Sequence, residues 1–183
     1  RRVDFTEDEL FVMRGFQFIT SKPIIYVTNV SEEDIAVGRN EYTDRVSKYA
    51  EEEGAGVIVM CAKIEEELAT LSNEDRELFM TDLGITNSGL DKLIFETYDL
   101  LGLATFFTAG ADECRAWTFK KGMKAPKCAG IIHTDFERGF IRAEVMSYDD
   151  LVLYGTELKV KEAGKVRLEG KEYQMQDGDI VYF

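Results

Sequence analysis

Two short runs of apolar and β-branched residues, Pro23–Val30 (PIIYVTNV) and Gly56–Cys61 (GVIVMC), constrain this chain more than anything else in it. Runs of this length without alternation read as strands buried on both faces, the kind found in parallel sheets. Between them, residues 41–53 place Tyr42, Val46, Tyr49 and Ala50 at helical spacing among charges, and Gly54 stands where a C-terminal cap belongs. The segment is therefore a β-α-β unit, and its ligand-facing loops follow the strands. Three helical patterns come next: Ile64, Leu68 and Leu71; Leu78, Phe79 and Leu83 after Ser72; and Leu90, Leu93, Ile94 and Leu101 after Ser88, with Asp91 completing a capping box and Gly102 ending the helix. The α/β portion runs to residue 103.

From Ala104 the pattern changes. Residues 104–107 and 114–119 (CRAWTF) read as strands joined by a turn at Gly110, and Cys128, Ile131, Ile132, Asp135 and Phe136 recur at helical spacing after Pro126. Ile141, Ala143 and Val145 alternate with Arg142 and Glu144 as in a half-buried strand. A short segment at 156–163 precedes 166–175, and the Asp177-Gly178 turn leads into the apolar ending Ile180–Phe183. Strands, one helix and more strands over residues 104–183 predict a small α+β domain of β-grasp type after the 1–103 portion. The chain opens Arg1-Arg2-Val3 without an initiator methionine and enters a helical pattern at once, so it is expected to be cut from something longer.

Composition narrows the function classes. With 22 basic and 35 acidic side chains the formal charge is −13, which disfavours indiscriminate binding to polyphosphate. No run nears the length that spans a bilayer, so membrane insertion is not expected. Cys61, Cys114 and Cys128 have no ligand spacing and make no disulfide framework, as fits a reducing cytoplasm; they read as small core residues. Neither catalytic residues nor metal ligands emerge. His133 is placed on the helix after Pro126, near Asp135, with no nucleophile or ligand cluster beside it, and reads as a packing or contact residue. The clusters 51–53 and 65–67 read as solvated helix faces, and Trp117 as core or interface.

The loop after the first buried run, Asn29-Val30-Ser31-Glu32, carries the most chemistry, and Cys61-Ala62-Lys63 would lie beside it. The Asn29 amide and the Glu32 carboxylate can read a purine edge with Val30 against the ring. The plainer alternative also stands: Asn29 and Ser31 are turn and N-cap residues, and Glu32 merely favours a helix N-terminus. NVSE after an apolar strand, with CAK after the next, resembles the base-recognition elements of P-loop GTPases, whose first element is usually NKxD. Residues 106–145 (FFTAGADECRAWTFKKGMKAPKCAGIIHTDFERGFIRAEV) and the ending GKVRLEGKEYQMQDGDIVYF closely resemble the YchF family, the Obg-like ATPases. The resemblance implies the trailing part of a P-loop NTPase domain followed by a TGS domain, the β-grasp module shared with threonyl-tRNA synthetases and SpoT/RelA enzymes.

It further implies ATP as the nucleotide, GTP binding more weakly, with Asn29 on the adenine edge, Val30 beside the ring, Glu32 in place of the guanine-clamping aspartate, and Cys61, Ala62 and Lys63 in the second base loop, where the backbone N–H of Ala62 or of Lys63 reaches the base. A carboxylate accepts from both N1–H and the N2 amino group of guanine, whereas adenine offers a lone pair at N1. No GxxxxGK[ST] occurs in the sequence, so Mg²⁺ and phosphate ligands would lie in the parent protein outside this chain, which alone is not expected to hydrolyse ATP. The family is associated with ribosomes. Between residues 113 and 142, Arg115, Lys120, Lys121, Lys124, Lys127, Arg138 and Arg142 stand against three acids, a local charge of +4 that leaves −17 for the remainder. This strip is a candidate contact for RNA phosphates or the ribosome, with solubilising loop lysines as the alternative. Two functions are expected: part of a cytoplasmic ribosome-associated ATPase, or a non-catalytic TGS module binding RNA, ribosomes or a regulatory nucleotide.

Overall fold

The computed structural model describes residues 3–110 and 113–183, so the Arg1-Arg2 start and Ala111-Asp112 of the Gly110 turn lie outside the described residues. The chain divides into two compact units, Arg1–Thr97 and Tyr98–Phe183.

The first unit runs α1 (Glu7–Arg14), a 3-10 turn (Ile19–Ser21), β1 (Ile25–Asn29), α2 (Glu32–Val37), α3 (Glu41–Glu53), β2 (Gly56–Met60), α4 (Ala62–Thr70), α5 (Asn73–Asp82) and most of α6 (Gly89–Leu100). β1 and β2 pair in parallel from Ile25↔Gly56 to Asn29↔Met60, with α3 in the crossover. The caps of α3 are local: Asn40 Oδ1 accepts the N–H groups of Tyr42 and Thr43, and Gly54 closes the helix at φ +65°. Among the described residues this sheet has two strands, so the faces expected to be buried are only partly covered, and Val27 is 46% exposed. The apolar centre of the unit is Cys61, Ile64 and Leu68, packed by Ile35, Phe79, Met80, Leu83 and Ile85.

The start of α6 is held from two sides. Buried Ser88 accepts the Asp91 N–H at 3.1 Å and donates to its carboxylate at 2.8 Å, while Arg76 reaches both residues. From α4, Glu65 accepts the N–H of Gly89 at 2.6 Å and of Leu90 at 3.3 Å. Glu65 is thus half-buried and engaged rather than part of a solvated face, because the open amides of a helix start need acceptors. Gly89 is required there: a Cβ would stand 2.5 Å from Met60 Cβ.

The second unit holds β3 (Leu103–Ala109), β4 (Cys114–Lys120), α7 (Ala125–Ile132), α8 (Thr134–Gly139), β5 (Ala143–Ser147), α9 (Tyr148–Tyr154), α10 (Glu157–Glu162), β6 (Arg167–Glu169) and β7 (Asp179–Tyr182). The sheet order is β4-β3-β7-β5-β6, with β3 and β7 parallel and every other pair antiparallel. Neighbouring residues serve opposite faces, as strand pleating dictates. Val145 and Val181 join Phe106, Phe119, Cys128 and Ala129 against α7, whereas Met146 and Ile180 pack with Val160 and Leu151 beneath α9 and α10. Asp179 is buried in this unit and fully engaged: it accepts from Tyr173 Oη at 2.7 Å, the Gln176 N–H at 2.9 Å and Arg167 Nη2 at 3.3 Å.

Three local expectations change. The helix after Pro126 is broken at His133, whose extended backbone (φ −159°, ψ 142°) ends α7 and starts α8, so His133 is not on a helix. Its ring Nδ1 accepts the Asp135 N–H at 3.2 Å, replacing a helical bond with a cap. Ile141 lies outside β5 and is 79% exposed, so the buried alternation begins at Ala143. Cys61 and Cys128 are buried, but Cys114 sits exposed on an edge strand and is no core residue.

Candidate functional site

The loops after β1 and β2 meet because their strands are hydrogen-bonded neighbours. The Val30 N–H extends the ladder to the Met60 carbonyl at 2.9 Å. Asn29 Oδ1 then accepts the Ala62 N–H at 2.9 Å, so the amide of one loop ties down the backbone of the other. The Ala62 N–H is thereby taken, and the Asn29 group left for a ligand is its Nδ2, which has no protein partner among the described residues. Cys61 is the buried N-cap of α4 and makes no side-chain cap, so the Lys63 N–H in the first turn is left uncapped.

Ser31 caps α2 by accepting the Asp34 N–H at 3.3 Å, and Glu32 is the first helical residue, so the capping reading holds for both. Glu32 also makes a contact that its position in sequence does not announce: its Oε1 lies 2.5 Å from Lys63 Nζ. That hydrogen bond, with the charge of Glu32 and more weakly that of Glu67, raises the Lys63 pKa above its ordinary value. Asn29 is exposed and Val30 half-buried. A cleft of about 360 Å³ runs along Thr28, Asn29, Val30 and Ser31 to Asn40, the cap of α3, and to Tyr42 and Thr43 within it; Cys61, Ala62 and Lys63 do not line it. The two loops together offer one amide donor, an apolar surface at Val30, open backbone N–H groups and a neutralised carboxylate. That set suits the edge of an uncharged heteroaromatic ring.

In the second unit the seven bases are not equivalent. Lys121 pairs with Asp99 at 2.6 Å, Lys124 with Glu172 and Lys127 with Glu137 each at 2.5 Å. Arg115 lies 3.9 Å from Glu113 and 4.1 Å over the Trp117 ring, whose Nε1 donates to Thr108. Lys120, Arg138 and Arg142 are exposed and have no ion-pair partner among the described residues. Among the described residues no group of three His, Cys, Asp or Glu could hold a metal ion, and no helix is long and apolar enough to cross a membrane. The contacts between the two loops that the sequence does not announce are the Glu32–Lys63 pair and the Asn29–Ala62 bond; neither has a local signal, since each joins residues from different loops.

Residues 103–183 match the YchF-GTPase_C family model, described as "Protein of unknown function (DUF933)". The whole chain is 58% identical to the ribosome-binding ATPase YchF of Bacillus subtilis (strain 168), covering 50% of that protein. It is 43% identical to Obg-like ATPase 1 of Homo sapiens, with 98% of this chain and 46% of that protein covered. Among solved structures it is similar to the Schizosaccharomyces pombe YchF GTPase, with a TM-score of 0.84 and 39% identity over 100% of this chain and 48% of the other. A GTP binding protein from Pyrococcus horikoshii OT3, at a TM-score of 0.62 and 19% identity over 97% of this chain and 50% of the other, shares the fold. The chain spans about half the length of the curated relatives it matches.

Proposed function

Since the chain belongs to the YchF and Obg-like ATPase family, we propose that it is the trailing half of a cytoplasmic, ribosome-associated NTPase that prefers ATP to GTP. In this reading the first unit supplies purine recognition through Asn29, Val30 and Glu32 with the open Lys63 N–H of the second loop, and the second unit is a TGS domain that docks on the ribosome. The observation that carries it is the Asn29–Ala62 bond, which joins two strand-end loops into one ligand-facing edge at the place where α/β sheets bind nucleotides. The β-grasp reading of residues 104–183 is supported by the strand order, which is 2-1-5-3-4 when the unit's strands are counted from β3, with its first and last strands parallel at the centre. Phosphate and Mg²⁺ chemistry would come from outside this sequence, which holds no GxxxxGK[ST]. The test is calorimetric titration of the full-length protein with ATP and GTP. ATP binding that Asn29→Ala weakens is expected; affinities untouched by Asn29→Ala would refute the base-loop role.

The second reading, a TGS surface acting without nucleotide, is favoured by Lys120, Arg138 and Arg142, the three cations of the 113–142 strip that have no ion-pair partner among the described residues. Ribosome co-sedimentation of the full-length protein at several salt concentrations separates the two. Binding that ignores nucleotide but is lost on charge reversal at Lys120, Arg138 and Arg142 favours the second reading; binding that survives that reversal excludes these residues as the contact.

A further inference from the structure

We propose that Lys63 sets the base preference of this site by holding the carboxylate of Glu32 away from guanine, so that the specificity-determining element is the Glu32–Lys63 pair rather than Glu32 alone. The inference rests on the reading of the two loops as purine-binding. The pair spans the two loops, joining the first residue of α2 to the second residue of α4. With the Asn29–Ala62 bond, which ties the end of β1 to the first residue of α4, it gives the two loops two fastenings.

The chemistry follows from the direction of the carboxylate. Guanine presents N1–H and an N2 amino group side by side, and a carboxylate engages both only when its two oxygens face them together. In this protein Glu32 Oε1 accepts from the Lys63 ammonium at 2.5 Å, which turns the carboxylate toward α4. Clamping guanine would require turning it back, at the expense of that ion pair. Adenine makes no such demand. Its N1 is an acceptor that a bare carboxylate would repel, and the adjacent ammonium cancels that repulsion. A lysine is charged throughout the neutral range and Glu32 raises the Lys63 pKa further, so the restraint persists there. Both side chains are largely solvated, 66% and 48% exposed, so the pair adds little to folding and its removal should leave the structure intact.

The experiment measures the ratio of the GTP and ATP dissociation constants in the full-length protein and in the variants Lys63→Met, Lys63→Gln, Lys63→Arg, Glu32→Gln and Lys63→Met/Glu32→Gln. Lys63→Met and Lys63→Gln are expected to shift the ratio toward GTP by about threefold to fivefold, the worth of one solvated ion pair. Lys63→Arg should leave it near the parent value. In the Glu32→Gln background, Lys63→Met should add no further shift, because the carboxylate it releases is gone. A ratio within about twofold of the parent in both neutral variants, with ATP still bound, overturns the inference, as does a shift of equal size in the Glu32→Gln background. Failure of the underlying reading looks different: Asn29→Ala would then leave both affinities unchanged whatever Lys63 does.

Discussion

Replacing Glu65 tests whether a single carboxylate organises the α4–α6 junction. In the structure it accepts two backbone N–H groups, from Gly89 at 2.6 Å and Leu90 at 3.3 Å. A carboxylate on the first turn of a helix contributes both a charge-assisted hydrogen bond and a favourable interaction with the helix dipole. The shorter bond is worth about 1.5–3 kcal/mol and the longer adds little, so Glu65→Ala should destabilise the first unit by about 2 kcal/mol, the better helix propensity of alanine offsetting a few tenths. With a urea dependence of about 2 kcal/mol per molar, the unfolding midpoint followed by far-ultraviolet circular dichroism should fall by about 1 M. Glu65→Gln keeps one acceptor oxygen without the charge and should fall about half as far. Glu66→Ala is the control, since that side chain is exposed and makes no such bond; its effect should stay within about 0.5 kcal/mol. Equal midpoints for Glu65→Ala and Glu66→Ala would refute the assignment.

Three further outcomes are expected. In the folded chain a small alkylating reagent should modify Cys114 alone of the three cysteines, and all three in denaturant, since Cys61 and Cys128 are buried and burial, aided by the charge of Asp179, pushes the Cys128 thiol up to about 12; mass spectrometry counts the adducts, and equal labelling at Cys128 would contradict the packing. The Lys121 ammonium holds the Asp99 carboxyl below its usual value, so its stabilising contribution is present above the ordinary carboxylate range and is lost as pH falls through the lowered folded value. Lys121→Met should move the Asp99 titration midpoint upward by NMR, and an unmoved midpoint would remove the ion pair as its cause. Because His133 Nδ1 accepts the Asp135 N–H, nitrogen NMR should find the Nε2–H tautomer at neutral pH, and His133→Ala should cost about 1 kcal/mol while His133→Asn, which can cap, costs less; an Nδ1–H tautomer would dispose of the cap.

What the sequence made legible depends on how far each determinant reaches. The β-α-β unit is readable because its signal, apolar runs against helical spacing, is carried by neighbours, and the caps at Gly54 and Ser88–Asp91 act within a single turn. Glu65 was misread as solvated because its partners lie 24 residues away, and the Asn29–Ala62 bond spans 33. Such contacts leave no periodicity. The break at His133 was hidden because apolar spacing continues across it through Ile131, Ile132 and Phe136, while the side chain that ends α7 does so by capping α8. For the site, residue types are legible but their pairing is not: nothing beside Lys63 in the sequence points to Glu32 at the end of the other strand.

Trp117 is the one tryptophan in this chain, and its indole is fixed on three sides, by Thr108 at Nε1, by the Arg115 guanidinium over its face and by the α7-side core beneath it. Every photon the chain emits from an indole therefore originates at one place on the edge strand. Drawing Arg115 away toward a phosphate would strip a cation from that ring and alter its emission. This chain thus contains its own optical gauge of where the Arg115 guanidinium stands on the β4 edge, with no dye attached.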